Sequence, residues 1–380
     1  MSSGPEKTSI KPRQIEGTIL TPDGWLRGIV SFSGRILAIE GEVVSAPVEG
    51  LPVVLPGFID LHVHGGGGAD IMSGCEAVTT AARMHARHGT TSLLATTVSA
   101  ERAELERVFT EVGATIHERA AGSARILGIH LEGPFINQAK LGAQPATIRL
   151  GTLEEILALH ARAPIRVVTL APELAGHLDL IASLQKLGIV AQLGHSLGSY
   201  ETGVAAIKAG ARGYAHLFNA MTGLQHRAPG MVGAALAHAE YAEIIPDFLH
   251  VHPGAILAAL RAIPKLYCVT DATAGAGMPD GTYRLGSQTV TKCGAGIRLA
   301  DGTLAGSTLT MDDALRNLVS IGLALDDASR RVSTYPANYL DLDDRGRIAV
   351  DCWADLVVMT STLQLIGVFV EGENIDLADA

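Results

Sequence analysis

From residue 53 to residue 272 the chain alternates two patterns. Short runs of aliphatic and β-branched residues predict strands at 53–64, 91–98, 124–132, 165–172, 189–195, 213–218, 242–247 and 265–272. Stretches with helical spacing lie between them, such as 101–120 and 152–163. The strand runs are almost continuously apolar, as expected where both faces are buried. Eight β/α units over about 280 residues predict an α/β fold, a TIM-like (β/α)8 barrel.

The two ends read differently. Residues 14–54 and 345–378 hold short alternating runs broken by turn signals such as TPDG and FSGR. They predict a small β-sandwich domain formed by both termini, with residues 1–55 and 345–380 in the sandwich and 56–344 in the barrel. A further hairpin, TYRLGSQTV followed by TKCGAGIRLA, is expected after the eighth strand.

Composition narrows the function classes. With 29 basic and 39 acidic residues the net charge is −10, which argues against a nucleic-acid partner. Apolar residues at 47% and charged residues at 18% give enough material for a large core and exclude a disordered chain. Mean hydropathy is +0.27, yet no apolar run is long enough to span a membrane. The opening MSSGPEKTSIKPRQ lacks the apolar stretch of a secretory signal, so a soluble, cytoplasmic protein is expected. Cys75, Cys268, Cys293 and Cys352 are too scattered for a zinc ribbon or redox pair and read as free thiols in or near the core.

The candidate chemistry sits at the strand ends. His62 and His64 close the first strand as HVH, and period-two alternation puts both on one side. Alone, the pair fits two rim histidines equally well. Glu132 closes the third strand in HLEGPF, His195 the fifth in QLGHS, His216 lies near the end of the sixth in YAHLFNAM, and Asp271 closes the eighth in VTDA. The C-terminal ends of barrel strands share one mouth, where barrel active sites lie. Imidazoles and carboxylates gathered there are ligands for zinc, iron or manganese at a hydrolytic site. Gly65 to Gly68 read as a tight strand-to-helix turn.

Of the remaining histidines, His85 and His88 fall three apart on a helix, a spacing that could hold a metal. His85 and His88 are expected on a solvated helix face; His117, His160, His177 and His238 fall on polar helix faces or in loops; His130 stays unassigned. No GxSxG elbow frames Ser196, and neither GxxxxGK[ST] nor a strand-linked GxGxxG occurs.

The segments LPGFIDLHVHGGGGAD, HLEGPF, LGHS, HLFNAM, VTDA and LAGSTLTM resemble, in order and from about residue 17 onward, those of the N-acetylglucosamine-6-phosphate deacetylases of the amidohydrolase superfamily. PGFIDLHVHG alone marks only the superfamily, which includes dihydroorotases and hydantoinases; HLEGPF followed by HLFNAM is more specific. The resemblance implies a metal-dependent hydrolase barrel, a homodimer, and hydrolysis of N-acetyl-D-glucosamine 6-phosphate in amino-sugar catabolism and cell-wall sugar recycling. It implies that Glu132, His195 and His216 hold one divalent metal, and that His62 and His64, with Asp271, can hold a second. Zinc is the first expectation, with iron, manganese or cobalt as alternatives, one or two ions per subunit. Asp271 is implied as the general base. Asn219 and Ala220 match the substrate-phosphate contacts, and Arg227 and His250 match residues reaching the substrate from the neighbouring subunit. Ala143, Gln144, Leu304, Ala305 and Gly306 match further substrate-lining positions.

Two departures stand out. Gln144 occupies a place where the family often carries histidine, and Phe248 follows Asp247 where glycine is usual. The alternatives are an N-acetylgalactosamine-6-phosphate deacetylase, a cyclic amidase, or a non-catalytic scaffold of the same fold.

Overall fold

A computed structural model describes residues 12–378. All eight predicted barrel strands are present among these residues: Phe58–Val63, Thr90–Thr97, Arg125–Glu132, Ile165–Leu170, Val190–Leu193, Gly213–Tyr214, Tyr241–Ile244 and Lys265–Cys268. The first six form one parallel sheet in chain order, and the last two form a parallel pair. Two contacts complete the circuit. The Leu217 amide donates to the Glu243 carbonyl (2.9 Å) between the sixth and seventh strands, and the Asp271 amide donates to the His62 carbonyl (2.9 Å) between the eighth and the first.

Several strands stop earlier than their apolar runs. The fifth, sixth and eighth end at Leu193, Tyr214 and Cys268, before His195, His216 and Asp271. Those three residues have φ of 48°, 25° and 50°, left-handed backbone that leaves the ladder. Each such position costs about 1–3 kcal/mol and is tolerated where surrounding structure enforces it.

Residues from both ends build the expected small β domain, its seven strands joined in one hydrogen-bonded sheet that coils back on itself. Its order is Glu373–Asn374, Leu365–Val370, Leu356–Met359, Val53–Pro56, Arg13–Thr21, Gly24–Phe32, Ile36–Val44. The sheet coils enough to bring Phe32 and Phe369 edge to face at 5.1 Å, enclosing Ile19, Val30, Ile36, Val54 and Leu356. Gly28 and Gly41 face each other across two of its strands, and a Cβ on Gly28 would collide with the Glu40 carbonyl. Glycine there permits the close approach that the coiling needs.

Glu371 fastens this sheet to the barrel. Its carboxylate binds Arg125 at the start of the third barrel strand (2.7 Å), Arg119 (3.2 Å) and Arg345. The hairpin expected after the eighth strand is a three-stranded unit, Gly281–Leu285, Gln288–Cys293 and Gly296–Arg298. The Gly286 amide pins it to Asp70 Oδ2 (2.5 Å), beside the barrel mouth.

Some local expectations are corrected. Cys75 and Cys293 are exposed, and only Cys268 and Cys352 are buried. His85 is buried, its Nε2 bonded to the Gly65 carbonyl (2.9 Å), so it props the turn after the first strand rather than facing water. His177 is also buried; Nδ1 donates to the Ala171 carbonyl (2.8 Å) and Nε2 accepts from the Gly151 amide (3.0 Å). Among the described residues no helix is long and apolar enough to cross a membrane.

Candidate active site

Because the strands run parallel, the side chains at their C-terminal ends meet in one place. His62, His64, Glu132, His195, His216 and Asp271 are all buried there, from five different strand ends. Glu132 is the hub. Its Oε1 lies 3.0 Å from His216 Nε2, 3.1 Å from His195 Nε2 and 3.4 Å from His62 Nε2. Its Oε2 lies 3.2 Å from His64 Nε2. Asp271 Oδ1 closes the far side, 3.3 Å from His64 Nε2 and 3.6 Å from His62 Nε2.

Whether these residues suit a metal can be read from their partners. His195 Nδ1 is 2.7 Å from the Lys140 carbonyl, which can only accept, so a neutral ring turns an unprotonated Nε2 inward. That Nε2 then meets His216 Nε2 at 3.1 Å and the Glu132 carboxylate. His62 repeats the arrangement, with Nδ1 against Glu243 Oε2 (2.9 Å) and Nε2 facing His64 Nε2 (3.2 Å). Lone pairs so crowded repel unless a cation stands among them, and two imidazoles with a shared carboxylate suit a divalent ion. Glu132, His195 and His216 form one such set; His62, His64 and Glu132 form another. His62, His130 and Glu243 also lie close together, but both His130 nitrogens are engaged, by the Leu61 carbonyl (3.0 Å) and Thr169 Oγ1 (2.7 Å).

Burial and the neighbouring charges set the titration of the cluster. Burial opposes charging His64, yet its hydrogen bonds to Asp271 and Glu132 outweigh burial and hold it up to about 9. Burial likewise opposes the charge on Glu132, but His62, His195 and His216 hold that carboxyl well below its ordinary value. Asp271 is also held low, against burial, by His62 and His64. His130 goes the other way, pushed down to about 3 by burial and by His62 beside it.

A cleft of about 210 Å³ opens onto this cluster. Ala143, Gln144, Asn219, Ala220, His250, Leu304 and Gly306 line it together with His64, Glu132, His195, His216 and Asp271. Ala305 is the exception in its segment. It is fully buried, its amide donates to the Ile297 carbonyl (3.0 Å), and it faces the hairpin instead of the cleft. Gln144 is built into the site: its amide donates to Glu132 Oε2 (2.5 Å) and its oxygen accepts from the Ser99 amide (2.7 Å).

The two residues expected to reach a neighbour's substrate part company. His250 lines the cleft of its own chain. Asp247 holds it there, taking the His250 amide (2.8 Å) and Nδ1 (2.6 Å) on its two oxygens. The turn between them puts Phe248 at φ 64°, a conformation glycine would adopt without strain. Arg227 lies outside this cleft, in a separate surface depression with Lys140, Tyr200 and Gly223.

Sequence reading missed Glu243. It stands in the apolar seventh strand and is fully buried. A lone carboxylate in such a run was the available signal, since it needs partners to be buried at all.

The amidohydrolase family model matches residues 53–375. N-acetylgalactosamine-6-phosphate deacetylase of Escherichia coli O157:H7 is 37% identical over 366 residues, covering 93% of this chain and 97% of that protein. N-acetylglucosamine-6-phosphate deacetylase of Bacillus subtilis is 38% identical over 336 residues, 85% of this chain and 84% of that one. Among solved structures, a variant of N-acetyl-D-glucosamine-6-phosphate deacetylase from Mycobacterium smegmatis, in complex with N-acetyl-D-glucosamine 6-phosphate, superposes with a TM-score of 0.89 at 34% identity, covering 96% of this chain and all of the other.

Proposed function

The chain belongs to the amidohydrolase family, and from that membership and its site we infer that it is a hydrolase that removes the acetyl group of N-acetyl-D-glucosamine 6-phosphate, giving D-glucosamine 6-phosphate and acetate. The observation that carries the reading is the buried hub at Glu132, to which both histidine sets converge beneath an open cleft.

An amide is a weak electrophile and water a weak nucleophile at neutral pH. Glu132, His195 and His216 would hold one divalent cation and His62 and His64 with Glu132 a second, and such an ion would supply Lewis acidity to polarise the carbonyl and acidify water. The chain's own residues do the rest. Asp271 stands at the cluster's edge and faces the cleft, so its carboxylate can accept the proton of the attacking water. The same carboxyl then returns that proton to the departing amine. Water is the nucleophile, and no covalent enzyme intermediate is formed.

Substrate recognition falls to the cleft wall. Burial lowers the His250 pKa, but the bond to Asp247 outweighs it and raises the value, which suits the imidazole to an anionic group in the cleft. The Asn219–Ala220 turn beside it offers polar backbone to the same group. Arg227 stands apart and would complete the pocket of a second copy in a homodimer.

The galacto epimer is the second reading, favoured by the 37% identity to the Escherichia coli galactosamine-series enzyme. Comparing kcat/KM for the two N-acetylhexosamine 6-phosphates and for unphosphorylated N-acetylglucosamine tests both. Deacetylation of neither phosphorylated sugar would overturn the assignment.

A further inference from the structure

Among the described residues, Glu243 is a buried carboxylate of the barrel interior that touches both halves of the histidine cluster without belonging to either set with Glu132. Its Oε2 accepts from His62 Nδ1 (2.9 Å) and from the His216 backbone amide (3.1 Å). Its Oε1 is 3.4 Å from the Tyr267 hydroxyl. Tyr267 leads on to Gln192 Oε1 (3.3 Å), which also accepts from Tyr339 (2.7 Å). Apolar strands surround this chain of contacts, and an ionised carboxylate without partners would be expensive there.

We propose that Glu243 is a positioning residue for the metal ligands: it fixes the proton of His62 on Nδ1, so that Nε2 is turned to the cluster as a lone pair, and it anchors the His216 backbone. The proposal rests on the metal-dependent reading above. The local geometry supports it in two ways. His62 contacts the cluster only through Nε2, so the identity of its protonated nitrogen decides whether it can ligate at all. His216 has a left-handed backbone (φ 25°) and a buried Nδ1 with no partner, so its own ring offers no second anchor. The Glu243 carboxylate holds the amide side of that turn, while Asn219 holds its carbonyl through its own amide (3.0 Å) and Nδ2 (3.1 Å). Carboxylate partners of this kind raise the basicity of a ligating imidazole and commonly carry about tenfold to hundredfold of metal affinity.

The test compares wild type and Glu243→Gln for zinc binding by chelator competition, starting from metal-free protein. The expected result is a dissociation constant raised about tenfold to hundredfold for the ion liganded by His62, with a smaller rise for the ion at Glu132, His195 and His216, since the glutamine oxygen can still accept from the His216 amide. Unchanged affinity for every ion bound, in a variant whose melting profile matches wild type, overturns the proposal. Wild type that binds no zinc would instead overturn the metal-dependent reading itself. Should the variant not fold, proton–nitrogen NMR of zinc-loaded wild type with labelled histidine decides. A hydrogen-bonded Nδ1 proton on His62, assigned by its loss in His62→Asn, supports the role; an unprotonated Nδ1 refutes it.

Discussion

Gln144 donates from Nε2 to Oε2 of Glu132 at 2.5 Å, on the same carboxylate oxygen that faces His64. The glutamine thereby fixes the rotation of the hub carboxylate while its own oxygen is tied to the Ser99 amide. Gln144→Ala removes this clamp and leaves Oε2 free to turn. We expect kcat/KM to fall about tenfold to hundredfold, the usual loss when a ligand's supporting contact is removed. Steady-state kinetics with metal content measured on the same sample would check it. Unchanged kinetics would mean that the histidines alone hold Glu132.

The convergence of lone pairs at the cluster predicts that activity follows metal content. Exhaustive chelation should abolish deacetylation, and zinc, iron, manganese or cobalt should restore it to differing degrees. His195→Ala and His216→Ala should each lose the ion at Glu132, because each removes one of its two imidazoles. Elemental analysis alongside the assay is the check, and full turnover by demonstrably metal-free protein would end the mechanism.

If Asp271 is the general base proposed above, its charge matters more than its shape. Asp271→Asn should bind substrate with turnover reduced by about a hundredfold or more. Since Asp271 Oδ1 is only 3.3 Å from His64 Nε2, metal stoichiometry has to be measured in the same preparation. Near-normal turnover would assign the proton transfer to another group.

Much of this was legible in the sequence, for identifiable reasons. Buried parallel strands write themselves as apolar runs, and ligands at their ends interrupt those runs visibly, as at His62, Glu132 and Asp271. Strand ends were less legible, because the left-handed turns at His195, His216 and Asp271 depend on tertiary contacts that no local propensity encodes. His85 and His177 were misread as polar surface. A histidine whose nitrogens bond to backbone can be buried neutral, and burial does hold His85 down to about 4. Glu243 was passed over since its partners, His62 and the His216 amide, are remote in sequence. The terminal strands were found, but their joining into one sheet depends on the parallel pairing of Thr18 and Ile19 with Val53 and Val54, which alternation alone does not reveal.

The separation of His250 from Arg227 gives a prediction about subunits. If Arg227 completes a partner's pocket while His250 serves its own, the two should behave oppositely in mixed dimers. Arg227→Ala mixed with Asp271→Asn puts one intact site in each mixed dimer. With random pairing, roughly half the dimers are mixed, so about a quarter of all sites should regain activity. His250→Ala mixed with Asp271→Asn should regain nothing, because each chain's cleft then carries one defect. Rescue in the second mixture, or none in the first with subunit exchange confirmed by mass, would contradict these placements.

The junction at Glu371 predicts how stability depends on pH. Burial pushes its carboxyl up, but hydrogen bonds and charge from Arg125 and Arg345 outweigh that and hold it at about 2, against an ordinary 4.5. A carboxylate with a depressed value in the folded state contributes its full stabilisation above the unfolded value and loses it as pH falls through the folded one. The Glu371 contribution should therefore be complete above about pH 5 and fade between about pH 4.5 and 2. Glu371→Gln keeps the shape of the side chain and removes the charge that Arg119, Arg125 and Arg345 share. Allowing for solvent screening at this partly exposed junction, the variant should be about 1–2 kcal/mol less stable at pH 7. Urea unfolding of both proteins at a series of pH values measures the gap directly. It should stay constant from pH 7 to 5 and narrow below that, since every other carboxylate titrates alike in the two proteins. A gap that persists unchanged to pH 3 would show that Glu371 holds the sheet to the barrel by packing rather than by charge.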